Sequence, residues 1–269
     1  MKKYFFCLLC SAILIPTQPV FGYHKKDKDK RHEETYTAHL PVPDQLAPKT
    51  KGEDLVAPVE EVRRHDLKWG NHKYGIDVSR YQNQIDWDAV AKDPNAKYAY
   101  LKATEGAGLV DKTYAYNLSE ARRVGIKVGC YHFFSPTAAI EDQFKNLTST
   151  VDLSTQDLIP IIDVENRGRG SLDEFCNRLR KFLINVEDYY KVKPIIYTSS
   201  HFYNKYLRGK FTEYKYMIAR YHDEEPVLAD DIQFVMWQFT SEGRISGIKG
   251  PVDRSKFMDG YSMIDILIR

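Results

Sequence analysis

The sequence is short of cysteine, of net charge and of long apolar runs, and each shortage removes a class of function. There are four cysteines in 269 residues. Cys7 and Cys10 fall in the first 22 residues, which read as a removable segment. Cys130 and Cys176 remain, too few for a disulfide framework. An export compartment would let them pair. Cys130 lies in a strand-like run and Cys176 in a helix-like one, so two separate buried thiols are expected. No Cys/His cluster has metal-ligand spacing, so no metal site is expected. The formal net charge is +2, without the basic bias of a nucleic-acid binder. No apolar run is long enough for a comfortable membrane span, so no integral membrane domain is expected.

The longest such run, Phe5 to Ile15, is broken only by Ser11. It follows Lys2 and Lys3 and precedes Val20-Phe21-Gly22, the pattern of an export signal over residues 1–22. This predicts a protein that is secreted or held in the cell envelope or periplasm. A retained anchor is the alternative. Lipid attachment at Cys10 is disfavoured, because Leu8 and Leu9 precede it where a small residue is needed. Residues 23–72 carry alternating charge and then a stretch spaced by prolines, with almost no apolar periodicity. They read as a flexible linker, with a cell-wall-binding tail as the alternative.

From residue 73 to 269 short apolar strands alternate with helical stretches. Strands are expected over 73–79, 98–104, 127–134, 159–165 and 194–199. Helices are expected over 86–92, 113–124, 138–150, 172–190 and 201–207. Three strand-like runs follow, 215–221, 234–240 and 252–257, with little helix between them. Repeated β/α units imply a parallel sheet with crossover helices. The predicted fold class is α/β: a single flattened TIM-like (β/α)5β3 barrel. An open doubly wound sheet is the alternative, but no glycine-rich phosphate loop follows the first strand.

Reactive groups in such barrels gather at the carboxyl ends of the strands. Those ends carry Asp77, Lys102 and Glu105, Tyr131 and His132, Asp163 and Glu165, and Tyr197; Trp237-Gln238 and Asp253 lie near the C-terminus, Asp253 near the end of a candidate strand. Asp163 and Glu165 are two apart on a strand, so their side chains share a face. Two carboxylates on one partly buried face repel each other, and burial disfavours charge. One should therefore stay protonated beside an ionised partner. Glycoside hydrolysis needs that division: one group protonates the leaving oxygen and the other stabilises the oxocarbenium-like transition state. Solvated strand-end carboxylates are the bland alternative. Asp77 could instead cap the following turn, and Glu105 could be a solvated loop residue. Lys102, inside an apolar strand, needs a carboxylate partner. His132 reads as structural and Tyr131 as the site residue. Trp237 is either core or a sugar-stacking platform. Nineteen tyrosines against three tryptophans supply rings with a polar tip, suited either to the core or to sugars.

The segments GIDVSRYQNQIDW (75–87), LKATEG (101–106), GCYHFF (129–134), PIIDVE (160–165), PIIYTS (194–199), ARY (219–221), WQFT (237–240) and VDRSKF (252–257) occur in one order. In that order they resemble glycoside hydrolase family 25, a family of lysozymes. The resemblance implies a flattened β/α barrel with N-acetylmuramidase activity on peptidoglycan glycan strands and no cofactor. By the resemblance Glu165 is the general acid/base. Asp163 is its partner, as nucleophile or as the group that holds the substrate's N-acetyl. Asp77 and Asp253 are the other two acids. Tyr131, Tyr197 and Trp237 line the site, with Lys102 and Glu105 as further substrate contacts. The family often has Asn two residues after the last Asp; here that position is Ser255, which bears on how Asp253 is oriented. A monomer is expected. A chitinase-like hydrolase and a non-catalytic glycan-binding barrel are the competing readings. The first usually carries further acids upstream in the strand, where Pro160, Ile161 and Ile162 stand; the second would lack the acid pair.

Overall fold

The computed structural model describes residues 73–230, 232 and 234–268. The expected export signal (1–22) and linker (23–72) lie outside the described residues. The strands are β1 (Tyr74–Val78), β2 (Tyr98–Glu105), β3 (Leu109–Val110), β4 (Lys127–Phe133), β5 (Ile161–Asp163), β6 (Ile195–Ser199), β7 (Tyr216–Ala219), β8 (Met236–Gly243) and β9 (Val252–Phe257). Eight of them close into a barrel, because β1 pairs with β2 on one side and β9 on the other. Closure removes the free edges that would otherwise template aggregation. The two-residue β3 folds back antiparallel on the end of β2. The strands from β1 round to β8 run parallel, whereas β9 is antiparallel to both its neighbours.

Helices cover the first part of this sheet. They are α1 (Trp87–Val90), α2 (Tyr114–Arg123), α3 (Ile140–Thr150), α4 (Leu172–Tyr190) and α5 (Ser200–Phe202), the last running into a π-helical turn over Tyr203–Leu207. The longest, α4, shows how the sequence specifies them. Ser171 caps its start by accepting from Glu174 N, and Asp173 and Glu174 complement the amino-terminal dipole. Phe175, Leu179, Phe182, Leu183 and Val186 recur at helical spacing and are buried. Lys191, in the left-handed region at φ 58°, ends it. Between β7 and β8, and between β8 and β9, no helix is found among the described residues. This is the five-helix, three-bare-strand layout expected of the sequence.

Alternation along the strands sorts side chains between the barrel interior and the layer under the helices. The interior holds Tyr98, Tyr100, Tyr131, Ile161, Ile195, Tyr197, Met217, Met236 and Phe257. The outer layer holds Ile76, Leu101, Val128, Cys130, Ile162, Ile196, Ile218 and Trp237 with the helix faces. Two fully buried tyrosines plug the interior, and both lie across glycines on adjacent strands. A Cβ on Gly75 would come within 2.2 Å of the Tyr98 ring, and one on Gly129 within 2.5 Å of the Tyr100 ring. Each hydroxyl is satisfied, Tyr98 on Ser255 Oγ at 3.2 Å and Tyr100 on the Ile159 carbonyl at 3.1 Å. Tyr98 and Tyr100 are therefore barrel filling, and this floor supports everything above it.

Cys130 is buried on β4, and burial pushes its thiol up to about 12. Cys176 on α4 is only half-buried, because it sits at the edge of the helix's packed stripe. Both are free thiols.

Candidate active site

Interior positions at one end of the barrel bring four acids together, at the carboxyl ends of β1 and β5 and at the amino end of the antiparallel β9. Asp77 ends β1's buried face and Asp253 lies directly opposite it on β9. Asp163 is the last residue of β5, and Glu165 follows just past the strand. Asp77 is not a cap: Ser79 caps the turn after β1, accepting from Tyr81 N. Asp77 is buried at 8 % exposure and Asp163 at 3 %; Glu165 and Asp253 are half-buried.

Desolvation is the largest influence on all four carboxyls, and it pushes each upward. Asp77 is raised to about 7, although hydrogen bonds from Gln238 and Ser255 pull the other way. Asp253 is raised to about 8 by burial and by repulsion from Asp77 and Glu165. Glu165 is raised to about 7 by burial, opposed by Lys102 and by the neighbouring Tyr197 hydroxyl. Asp163 is raised well above the usual carboxylate range, first by burial and then by repulsion from Glu165. The sequence predicts one raised group in the Asp163–Glu165 pair. The structure raises both, because neither reaches an arginine or lysine partner of its own. Asp163 Oδ1 is buried with no hydrogen-bond partner.

Lys102 is the only buried lysine or arginine among the described residues. Its carboxylate partner is Glu105, 2.6 Å away, and its ammonium lies 5.2 Å from the centre of the Phe133 ring. Residues three apart on a regular strand would point to opposite faces. Here the β2–β4 register slips between Lys102 and Thr104, so an extra residue turns Glu105 back to the Lys102 side. Lys102 lowers both members of the Asp163–Glu165 pair electrostatically.

Aromatic hydroxyls complete the wall. Tyr131 and Tyr197 face the interior, and burial holds both phenols protonated. Tyr197 donates to Gln238 Oε1 at 2.7 Å, and Tyr221 donates to the same atom at 2.9 Å. Gln238 Nε2 then donates to Asp77 Oδ2 at 2.9 Å. With both roles of its amide fixed, Gln238 can only present a donor to Asp77. Ser255, where the family often has Asn, is fully buried, accepts from Tyr98 and bonds Asp77 rather than Asp253.

Trp237 is the exception among the expected site residues. It is out of phase with Gln238, so its ring lies on the outer face of β8. There it is 3 % exposed, its Nε1 donates to the Arg220 carbonyl at 2.9 Å, and Lys256 covers it at 4.7 Å. It is no platform at the acids; its neighbour Gln238 takes the interior position. Gln238 and Tyr221 join the site instead, and the phase of β8 set by Met236 is the sequence signal for Gln238. His132 is structural as expected. It points outward, contacts Thr104 Oγ1 at 2.7 Å and stacks 5.0 Å from Phe182. Burial pushes it down to about 4, so it stays neutral. Among the described residues no group of three or more His, Cys, Asp or Glu is placed to hold a metal ion.

Such a ring of raised carboxyls with one buried cation suits acid/base work on a bond that breaks with positive charge. The glycosyl hydrolases family 25 model matches residues 76–248, which contain all of this ring except Asp253 and Ser255. The chain belongs to glycosyl hydrolase family 25. It is thus a glycoside hydrolase, as its ordered motifs imply. It is 39 % identical over 188 residues to the uncharacterized protein YegX of Escherichia coli K12, covering 68 % of this chain and 69 % of that protein. It is 28 % identical over 197 residues to Lysozyme M1 of Streptomyces globisporus, covering 68 % and 67 % respectively. The solved family 25 glycosyl hydrolase of Bacillus anthracis superposes with a TM-score of 0.65 at 30 % identity, over 70 % of this chain and 89 % of that one.

Proposed function

We propose that the family 25 barrel is a lysozyme: it hydrolyses the β-1,4 bond between N-acetylmuramic acid and N-acetylglucosamine in peptidoglycan. The observation that carries this reading is the cluster of Asp77, Asp163, Glu165 and Asp253, all raised by burial at one end of the barrel. The likeness to Lysozyme M1 supports the substrate.

Glu165 is the general acid. Raised to about 7, it still holds a proton at neutral pH and can give it to the leaving glycosidic oxygen. Deprotonated, it then takes a proton from the water that completes hydrolysis. Asp163 faces the sugar's anomeric side. Its unpartnered Oδ1 is an acceptor for the N–H of the 2-acetamido group, which orients that group's oxygen for attack on the anomeric carbon. Alternatively the ionised carboxylate attacks directly; both routes retain configuration. Asp77, held by Gln238, and Asp253 line the mouth, where the positive charge of the oxocarbenium-like transition state favours their ionised forms. Lys102 and Glu105, with Tyr131 and Tyr197, contact the sugars. An export signal at 1–22 and a linker at 23–72 fit an enzyme whose substrate lies outside the cytoplasm.

Mass spectrometry of fragments released from purified peptidoglycan tests the assignment: the new reducing end should be N-acetylmuramic acid. A new end on N-acetylglucosamine, or cleavage of chitin oligomers alone, would overturn it. NMR of the first-formed anomer tests the route, since inversion would remove Asp163 from its role.

A further inference from the structure

The bare side of the barrel carries a second recess. It lies outside β8, β9 and β1, has a volume of about 550 Å³, and is lined by Tyr74, Tyr221, Trp237, Phe239, Thr240 and Lys256, with His222 and Asp223 at its rim. That size is ordinary for a small-molecule site. The rings are locked together: Phe239 meets Tyr74 edge-on at 6.2 Å and Trp237 at 5.9 Å. Lys256 is held over Trp237 and paired with Glu225 at 3.1 Å. Tyr221 belongs to both places. The residue is 46 % exposed and lines this recess, while its hydroxyl bonds Gln238 in the catalytic network.

We propose that this recess is an accessory subsite for the glycan strand, taking N-acetylhexosamine residues beyond those at the scissile bond. The proposal rests on the lysozyme reading above. Four of the eight lining residues are aromatic, which suits the apolar C–H faces of pyranose rings. Thr240, Lys256, His222 and Asp223 offer donors and acceptors for hydroxyl and acetamido groups. Lys256 and Arg254, which lies over Tyr74 and Phe239, are balanced by Glu225 and Asp223, so a neutral sugar fits better than an acidic stem peptide. Continuity through Tyr221 lets a strand leave the mouth and lie on the outer face. The consequence is preference for long strands.

The test uses the full chain with Phe239→Ala, and with Asp223→Trp, which puts bulk at the exposed rim without disturbing the packed rings. Each should raise KM about tenfold for long uncrosslinked peptidoglycan strands, a loss of about 1.4 kcal/mol. Each should leave kcat, and the rate on a tetrasaccharide, unchanged. Equal effects on both lengths, or none on either, would overturn the subsite. A binding measurement separates this from the lysozyme reading. In Glu165→Gln protein titrated with tetra-N-acetylchitotetraose, the Trp237 indole N–H resonance should shift, and the added Phe239→Ala change should abolish the shift. If the enzyme cleaves no wall substrate yet the resonance moves, the lysozyme reading fails and the subsite stands. If the resonance does not move at saturation, the subsite fails.

Discussion

His132 and Asp163, on opposite faces of adjacent strands, are buried polar groups treated in opposite ways. On the outer face of β4, His132 is fully buried between Thr104, Gln143 and the Phe182 ring. Burial makes it neutral, and Gln143 is itself tied to the Ser135 backbone. On the inner face one strand away, Asp163 is as deeply buried, has an unpartnered oxygen and faces a second carboxyl. A buried polar group without a partner costs about 1–3 kcal/mol. His132 avoids that cost and Asp163 bears it, although single unpartnered atoms also occur outside the mouth, at Thr198, Arg254 and Gln156. Satisfied polar groups such as His132 and Gln143 help hold the layer under the helices. Under-satisfied ones at the mouth are poised for a ligand.

The largest effect that separates the faces should come from Glu165→Gln. Glutamine keeps the shape but cannot transfer a proton, so turnover should fall by about 10²–10⁴-fold or more. The melting temperature should not drop, because a repelling charge is removed. Asp163→Asn should be comparably severe. Steady-state kinetics and calorimetry on each variant check both; a fully active Glu165→Gln would remove the assigned acid. Asp77→Asn and Asp253→Asn should come next, with kcat down by about 10- to 100-fold, since only part of the transition-state field is lost. Like charges directly opposite on paired strands destabilise, so each of these changes should hold or raise the melting temperature. A large drop with near-normal rate would make them structural.

How far this contrast was readable beforehand depended on register. Strand and helix positions followed from local apolar periodicity, and the i, i+2 spacing put Asp163 and Glu165 on one side even though β5 ends at Asp163. Asp77 and Asp253 could be suspected as strand-end acids, but their direct apposition requires that β9 run antiparallel, which no local signal states. Whether Trp237 is core or platform turns on one residue of phase, and one residue is a whole face on a strand. The turn of Glu105 towards Lys102 rests on the bulge in β2. The pairing of Tyr98 with Gly75 joins residues on separate strands and is visible only in three dimensions.

A smaller effect is pH dependence. The unfolded chain releases the protons of Asp77, Asp253 and Glu165 near their ordinary values of 3.8, 3.8 and 4.5. The folded chain keeps them to about 7, 8 and 7. The folded state therefore binds more protons between about pH 4 and pH 8, and stability should fall as pH rises through that window. Thermal melts across it should show a shallower slope in Asp77→Asn/Asp253→Asn protein. Activity should also fall above about pH 7, as Glu165 loses the proton it must donate. A rate that climbs through pH 8 would contradict that role. The smallest effect on catalysis should come from the other face. His132→Ala should cost about 2–3 kcal/mol of stability through a cavity and lost partners, with kcat of the folded fraction unchanged. A strong kcat loss without a lower melting temperature would erase the distinction between the faces.

The tyrosine plug beneath the mouth ties the histories of distant positions together. Gly75 can accept no larger residue while Tyr98 stands across it, and Tyr98 cannot shrink without leaving a hole under Ser255. The same bond of necessity joins Gly129 to Tyr100. Single changes at any of the four meet a barrier that a paired change can step around. Descent from one floor to another would pass through coordinated double substitutions, so the floor should drift far more slowly than the bare outer wall.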